Sequence, residues 1–159
     1  MTFKTGDRVV YPHHGAAIIQ KTEVVEFNGE KKKYFVLHTA HDDLTVRVPV
    51  DKVEEVGMRP PISMSDVEDL FELLAKKDVR EPANWSRRFK NHQEKLKSGD
   101  VYQVAEVVRN LALRDKSKGL SAGEKTMYSK ARKVLVSELS FAMDLSEDDA
   151  MDKVDEQLV

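Results

Sequence analysis

No cysteine occurs among the 159 residues. Disulfide scaffolds, thiol nucleophiles and cysteine-ligated zinc are therefore excluded. No apolar run approaches the roughly 18 residues of a membrane-spanning helix. Met1 to Arg8 lacks the apolar stretch of a secretory signal, so a soluble, intracellular (cytoplasmic) protein with no membrane partner is expected. There is one tryptophan, and there is no internal repeat or low-complexity segment. Apolar residues make up 40% and charged residues 34%, polar for a globule yet well short of a disordered tail. A chain of this length makes one typical domain or two small ones, and buries roughly two-thirds of its unfolded surface without cross-links.

The net charge of −2 hides an uneven distribution. Residues 1–75 carry a net −4, residues 76–133 a net +9, and residues 134–159 a net −7. A basic middle between acidic flanks points to a polyanion site that the overall charge conceals, with a solvated helical surface as the plainer alternative.

The first sixty residues read as strands: Asp7 to Tyr11, Ala16 to Phe27, Lys33 to Thr39, Leu44 to Val50 with Leu44, Val46, Val48 and Val50 inward, and a short fifth strand from Val53 to Val56. Asn28-Gly29 marks a tight hairpin turn, because both residues tolerate positive φ. Five short strands predict a small, strongly bent barrel of the Tudor or SH3 kind, with an edge that another strand could join. Pro60-Pro61 ends this region, and the apolar period then changes from two to 3.6.

Five helix starts follow. Ser65-x-x-Glu68 has the form of a capping box, with Val67, Leu70, Phe71 and Leu74 on one face. Asn84 or Ser86 can cap a mostly polar helix running to about Lys97. Asp100 can cap a third, with Val101, Val104, Ala105, Val108, Leu111 and Ala112 inward. Ser121-x-x-Glu124 opens a fourth with Met127, Tyr128, Ala131, Val134, Leu135, Leu139 and Met143. Ser146-x-x-Asp149 starts a final acidic helix. The expected fold is α+β: a Tudor/SH3-like bent β-barrel over residues 1–60, then an α-helical bundle over 61–159.

Candidate chemistry is sparse. His13, His14, His38 and His41 could contribute to a metal site, but zinc needs three or four converging donors and strands do not force convergence. Asp42-Asp43 are adjacent carboxylates on a loop, a poor arrangement for acid–base catalysis. Gly119 to Thr126 superficially resembles a phosphate loop. Only three residues separate its glycines and Glu124 precedes Lys125, so it reads as a helix start, where free amides and Lys125 can hold one DNA phosphate. No catalytic residue, metal or cofactor is expected. Trp85 sits at a helix start between Glu81-Pro82-Ala83-Asn84 and Ser86-Arg87-Arg88. A lone Trp is most often a packing residue, but a ring beside arginines is also the combination that wedges a base step and clamps phosphates. Lys90 lies one turn further on. Arg47, between inward valines, should point outward as either a plain surface arginine or an interface residue.

Five segments in order carry a specific resemblance: Val9-Val10-Tyr11-Pro12-His13-His14-Gly15-Ala16, Asp43-Leu44-Thr45-Val46-Arg47-Val48-Pro49, Asn84-Trp85-Ser86-Arg87-Arg88, Ser98-Gly99-Asp100-Val101 and Gly119-Leu120-Ser121-Ala122-Gly123-Glu124-Lys125. Over nearly its whole length the chain resembles CarD/CdnL-type bacterial RNA polymerase-binding transcription factors of the actinobacterial kind. The resemblance implies that residues 1–60 bind the polymerase β-subunit lobe, as does the related domain of transcription-repair coupling factor. Arg47 matches a family contact. Val25 stands where the family uses arginine, so a charged contact there is absent or replaced. The resemblance also implies that residues 61–159 bind promoter DNA at the upstream edge of the melted bubble. Trp85 would wedge into the minor groove, with Arg87, Arg88, Lys90 and Lys125 on the DNA side. Such factors stabilise the open complex without reading a sequence, here as a monomer when bound. The competing readings are an RNA-binding or ribosome-associated protein, a metal-dependent hydrolase, and an adaptor whose bundle binds protein alone.

Overall fold

The computed structural model describes residues 2–12 and 14–158. The chain divides into two compact units, Met1–Pro61 and Ile62–Val159.

In the first unit four antiparallel strands lie in sequence order: β1 (Arg8–Tyr11), β2 (Gly15–Phe27), β3 (Glu30–Thr39) and β4 (Thr45–Pro49). Asn28 and Gly29 both take positive φ, 52° and 80°, which matches the right-handed twist of the strands they join. The register between β2 and β3 slips between Ile19 and Lys21. Such a bulge bends the strand and increases local twist, curling the sheet over Val9, Ala17, Ile19, Phe35, Leu37, Val48, Val53 and Met58. Val10 and Arg59 exchange backbone bonds of 2.6 and 3.1 Å, covering the outer side of β1. No described residue pairs with the outer side of β4, which leaves a sheet edge. The result is a Tudor-like half-barrel.

Two expectations need correction. Val53 to Val56 is no strand: after a 3-10 turn at Val50–Lys52, the amide of Val56 donates to the Lys52 carbonyl at 2.9 Å. The two valines are three apart, a helical rather than alternating spacing, and only Val53 is fully buried. Val50, in the 3-10 turn, is exposed rather than inward, and so is Leu44, which lies just before β4. Its amide and carbonyl serve Thr39 instead, at 2.8 Å to Oγ1 and 2.9 Å from the Thr39 amide, closing the β3–β4 turn.

The second unit holds α1 (Met64–Ala75), α2 (Trp85–Lys97), α3 (Val101–Ser117), α4 (Ala122–Met143) and α5 (Glu147–Leu158). The first helix starts earlier than Ser65-x-x-Glu68 implies: Ser63 is the N-cap, its hydroxyl accepting from the Asp66 amide at 3.3 Å. The other caps lie where side-chain oxygens meet free amides: Asn84, Asp100, Ser121 with the full capping box, and Ser146. Helix α3 runs through the middle, with Leu111 and Val108 fully buried, and packs on α1, α2 and α4. Leu135 and Leu139 of α4 and Leu70 and Leu74 of α1 complete the core. The acidic α5 is part of this core through Ala150 and Val154. Its carboxylates occupy the opposite side, and Asp155 meets Arg132 at 2.5 Å. No described helix is long and apolar enough to cross a membrane.

Candidate nucleic-acid interface

The tryptophan is placed by two helix starts. Asn84 caps α2, so Trp85 is the first residue of that helix. Its indole N–H donates to Ser121 Oγ, the N-cap of α4, at 3.2 Å. The ring lies nearly parallel to Phe89, centroids 4.8 Å apart and planes 14° apart. Phe89 is one helical turn on, so the pair sits on one stripe of α2. Gly123 lies beneath: a Cβ there would come within 3.4 Å of Phe89 and 3.9 Å of Trp85, ordinary packing distances, so α4 backs both rings closely at this point. Trp85 is nevertheless 45% exposed. It is a braced ring with one side open to solvent, held by Phe89 and Ser121.

Arg87, Lys90 and Lys125 are exposed. Lys125 is in the first turn of α4, where unpaired amides favour an anion. Arg88 is different. It is 1% exposed, so it is not a surface cation and the DNA-side expectation for it is corrected. Its Nε donates to Glu124 Oε2 at 3.4 Å, and its Nη1 donates to the carbonyls of Pro82 and Ala83, both at 3.3 Å. Helical periodicity explains the difference between the two arginines. Trp85, Arg88, Phe89 and His92 are spaced i, i+3, i+4, i+7 and share the face that α2 turns to the bundle, with Trp85 at its exposed end, whereas Arg87 and Lys90 fall on the opposite, solvent side. Buried arginine is tolerated because Glu124 answers its charge. One turn further His92 meets Glu81 at 2.5 Å. The 81–83 segment leading into Trp85 is thus tied down at both ends.

Burial alone would raise the Glu124 carboxyl. Bonds from Ser121, backbone and side chain, and the charges of Arg88 and Arg114 outweigh it and hold the group below its ordinary value. Glu81 behaves alike: burial opposes ionisation, but the His92 bond and charge, with Asn110 and Arg88, lower it. A lowered carboxylate stabilises the fold above the unfolded value and loses that contribution as pH falls through the folded one. Stability is therefore expected to hold from pH 7 down to about 5 and to fall below the ordinary value of 4.5. Urea titrations at stepped pH check this, and the acid loss should be shallower in Glu124→Gln.

In the half-barrel, Arg47 points outward and donates from Nε to Glu23 Oε2 at 3.0 Å. Lys21 approaches the same carboxylate at 3.5 Å. The bond from Arg47 is the main cause that holds the Glu23 carboxyl below its ordinary value. Lys21, Val36 and Arg47 are paired across three strands. Glu23 and then Val25 follow at alternate positions on that face, with Val25 opposite Lys32 and exposed. Arg47 and Val25 therefore share one outward face, with Val25 on β2 past the end of β4.

The remaining candidates do not assemble into a centre. His14 and His41 lie 3.8 and 3.9 Å from Asp42, and His38 lies 2.7 Å from Asp43. Asp42 accepts from the Thr39 hydroxyl, and Asp43 takes a positive φ of 55°. These carboxylates shape the β3–β4 turn. His13 lies outside the described residues. Among the described residues no three histidine or carboxylate groups converge as metal ligands would.

Sequence reasoning missed three parts of the arrangement: Phe89 beneath the indole, Ser121 as its acceptor, and Glu124 as the partner of Arg88. The four-residue spacing of Trp85 and Phe89 was a legible signal for the first.

A half-barrel with an open edge, joined to a helical bundle that braces an exposed tryptophan and carries exposed cations, is the architecture of a two-module binding protein. The family descriptions agree with it. "CarD-like/TRCF RID domain" matches residues 3–62 and "CarD, C-terminal domain" matches residues 69–155. YdeB of Bacillus subtilis (strain 168), named as a transcription factor, is 34% identical over 145 residues, covering 91% of this chain and 95% of YdeB. The solved structure of CdnLNt from Myxococcus xanthus is 35% identical, covering 40% of this chain and 89% of that one, with a TM-score of 0.34. The chain belongs to the CarD family and is a CarD/CdnL-type transcription factor.

Proposed function

We propose that residues 1–61 bind the β-subunit lobe of bacterial RNA polymerase while the helical unit holds promoter DNA at the upstream edge of the bubble, stabilising the open complex without base-specific readout. The observation that carries this reading is Trp85: a large ring, 45% exposed, braced from behind by Phe89, in a unit whose exposed cations include Arg87 and Lys90 of the same helix and Lys125 in the first turn of α4. An apolar wedge with cations in the same unit suits a partly unstacked base step, where the phosphates supply affinity and the distortion supplies selectivity. The outward face of Arg47 and Val25, with the free β4 edge, supports the polymerase contact, since an edge strand recruits by backbone pairing and nearby side chains set specificity. Tethering to polymerase raises the local concentration at the promoter, so neither contact needs to be tight. A wedge that fits only the opened junction shifts the equilibrium towards it by its differential affinity. The protein would act in the cytoplasm, as a monomer on polymerase.

The test is the lifetime of a promoter open complex on a bacterial polymerase, read by a fluorophore in the bubble, with and without the protein. A longer lifetime supports the reading; no change across several promoters refutes it. Arg47→Glu should weaken polymerase binding by about tenfold or more, as expected for an interface arginine, and leave binding to free DNA alone. Its exposed pair with Glu23 contributes little to folding. Unchanged polymerase affinity in a pull-down or calorimetric titration would remove Arg47 from the interface. Lys125→Glu should weaken DNA binding and reduce its salt dependence by about one phosphate contact, without changing polymerase affinity. Binding isotherms at several salt concentrations decide it.

A further inference from the structure

Between the 77–83 segment and the C-terminal turns of α3 lies an open cavity of about 430 Å3. Its walls carry three cations, Lys77, Arg114 and Lys118, against one carboxylate, Glu81. Several acceptors beside those cations are already engaged. Glu81 is bound to His92. The carbonyls of Pro82 and Ala83 receive Arg88. At the end of α3 the Arg114 carbonyl receives the amides of Lys118 and Gly119 at 2.8 and 3.1 Å, so the three cations, not this carbonyl, face the end of a helix that is ordinarily a negative pole. Arg114 reaches Glu124 only at 3.7 Å through its Nε. Among the described residues neither Lys77 nor Lys118 has a carboxylate within ion-pair distance. Donors and positive charge therefore line a concave space within the size range of small-ligand sites.

We propose that this cavity is a phosphate-binding site, in which Lys77, Arg114 and Lys118 hold a phosphate-bearing anion of nucleotide size. Arginine and lysine converging on one concavity suit tetrahedral phosphate oxygens, with arginine giving directed bonds and lysines giving charge. The anion is either free, as a nucleoside polyphosphate, or a backbone phosphate of the DNA. The site goes beyond the wedge reading and does not depend on it, since none of the three cations touches the indole.

The experiment is calorimetric titration of the full chain with inorganic tripolyphosphate at about 150 mM salt. In parallel, a labelled duplex is titrated by fluorescence anisotropy. Wild type is compared with the double variant Lys77→Glu/Lys118→Glu and with Lys130→Glu/Lys133→Glu, which removes the same charge from exposed positions of α4. Circular dichroism confirms that each variant is folded. Expected is one tripolyphosphate per chain, weakened about tenfold or more by the cavity variant and less than about threefold by the α4 variant. If tripolyphosphate does not bind but the cavity variant alone weakens the duplex, the occupant is a backbone phosphate. Equal losses in both variants, or no loss in either titration, overturns the site. Failure of the wedge reading is separate, because it shows as an open-complex lifetime indifferent to Trp85.

Discussion

Trp85→Ala is expected to leave the fold intact and to remove most of the open-complex stabilisation. The ring is nearly half exposed, and its burial is against Phe89 and Gly123 at the surface, not in the core around Leu111 and Leu135. Losing it should cost about 1 kcal/mol of folding stability, the stacking with Phe89 being worth roughly 0.5–1.5 kcal/mol. Against a melted junction the same ring supplies roughly 1–3 kcal/mol of stacking. Because 1.4 kcal/mol is a factor of about ten, the lifetime of the open complex should fall roughly tenfold towards its value without the protein. Bubble fluorescence measures the lifetime, and urea unfolding measures the stability. Trp85→Phe separates the two supports, since it keeps the stack on Phe89 and loses the bond to Ser121. An intermediate lifetime is expected. If Trp85→Ala unfolds the chain, the ring is a packing residue and the wedge is lost as an explanation.

The largest loss of stability is expected from Arg88→Met. Arg88 and Glu124 are both almost fully buried, in α2 and α4. Removing one partner leaves the other as an uncompensated buried charge, which costs about 3–5 kcal/mol. Chemical denaturation should show the midpoint falling by that free energy divided by the slope, with the slope itself unchanged. Arg88→Met/Glu124→Gln should recover part of the loss, because neither charge is then stranded; the cycle of the four proteins isolates the coupling. Recovery will be incomplete, since Glu124 also completes the α4 capping box and receives the Ser121 amide at 3.2 Å. A loss in Arg88→Met no larger than in a surface variant such as Arg87→Met would mean the pair contributes nothing net. These two variants also divide the cations of the Asn84 to Lys90 segment by role. Arg87 and Lys90 face solvent, while Arg88 holds the carbonyls that lead into the wedge. Some of any DNA-binding defect in Arg88→Met would therefore arise from a loosened Trp85.

The departures from expectation share a cause. Val53 and Val56 looked like a strand because two valines flank two glutamates. The structure closes a helical turn there, because the chain must return to β1 through Arg59 within a few residues. Ser65-x-x-Glu68 matched the capping pattern, but Ser63 is equally good chemistry two residues earlier and starts the helix with Val67, Leu70 and Leu74 inward. Where two local solutions are nearly equal in energy, packing chooses between them. Arg88 shows the same thing at the site. Beside an exposed tryptophan and among arginines it read as a DNA-facing cation, yet its spacing from Phe89 and His92 already put it on the face that packs, about 100° away from Arg87.

What the sequence alone determined about this protein is what local physics governs. The period-two and period-3.6 patterns placed β1 to β4 and α1 to α5 to within a few residues. Asn28-Gly29 specified the hairpin because both positions need positive φ, and Asn84, Asp100 and Ser121 marked helix starts because their oxygens meet free amides. The basic middle, the acidic end and the position of Trp85 at a helix start could all be read directly. Only the tertiary structure decided what lies against what. Ser121 accepts from Trp85, and Glu124 answers Arg88, each across 36 residues of chain. No local periodicity encodes a partner at that distance; it is set by how α2 and α4 settle on the buried face of α3. That packing made one arginine structural, left its neighbour on the surface, and braced a single aromatic ring with one side open to solvent.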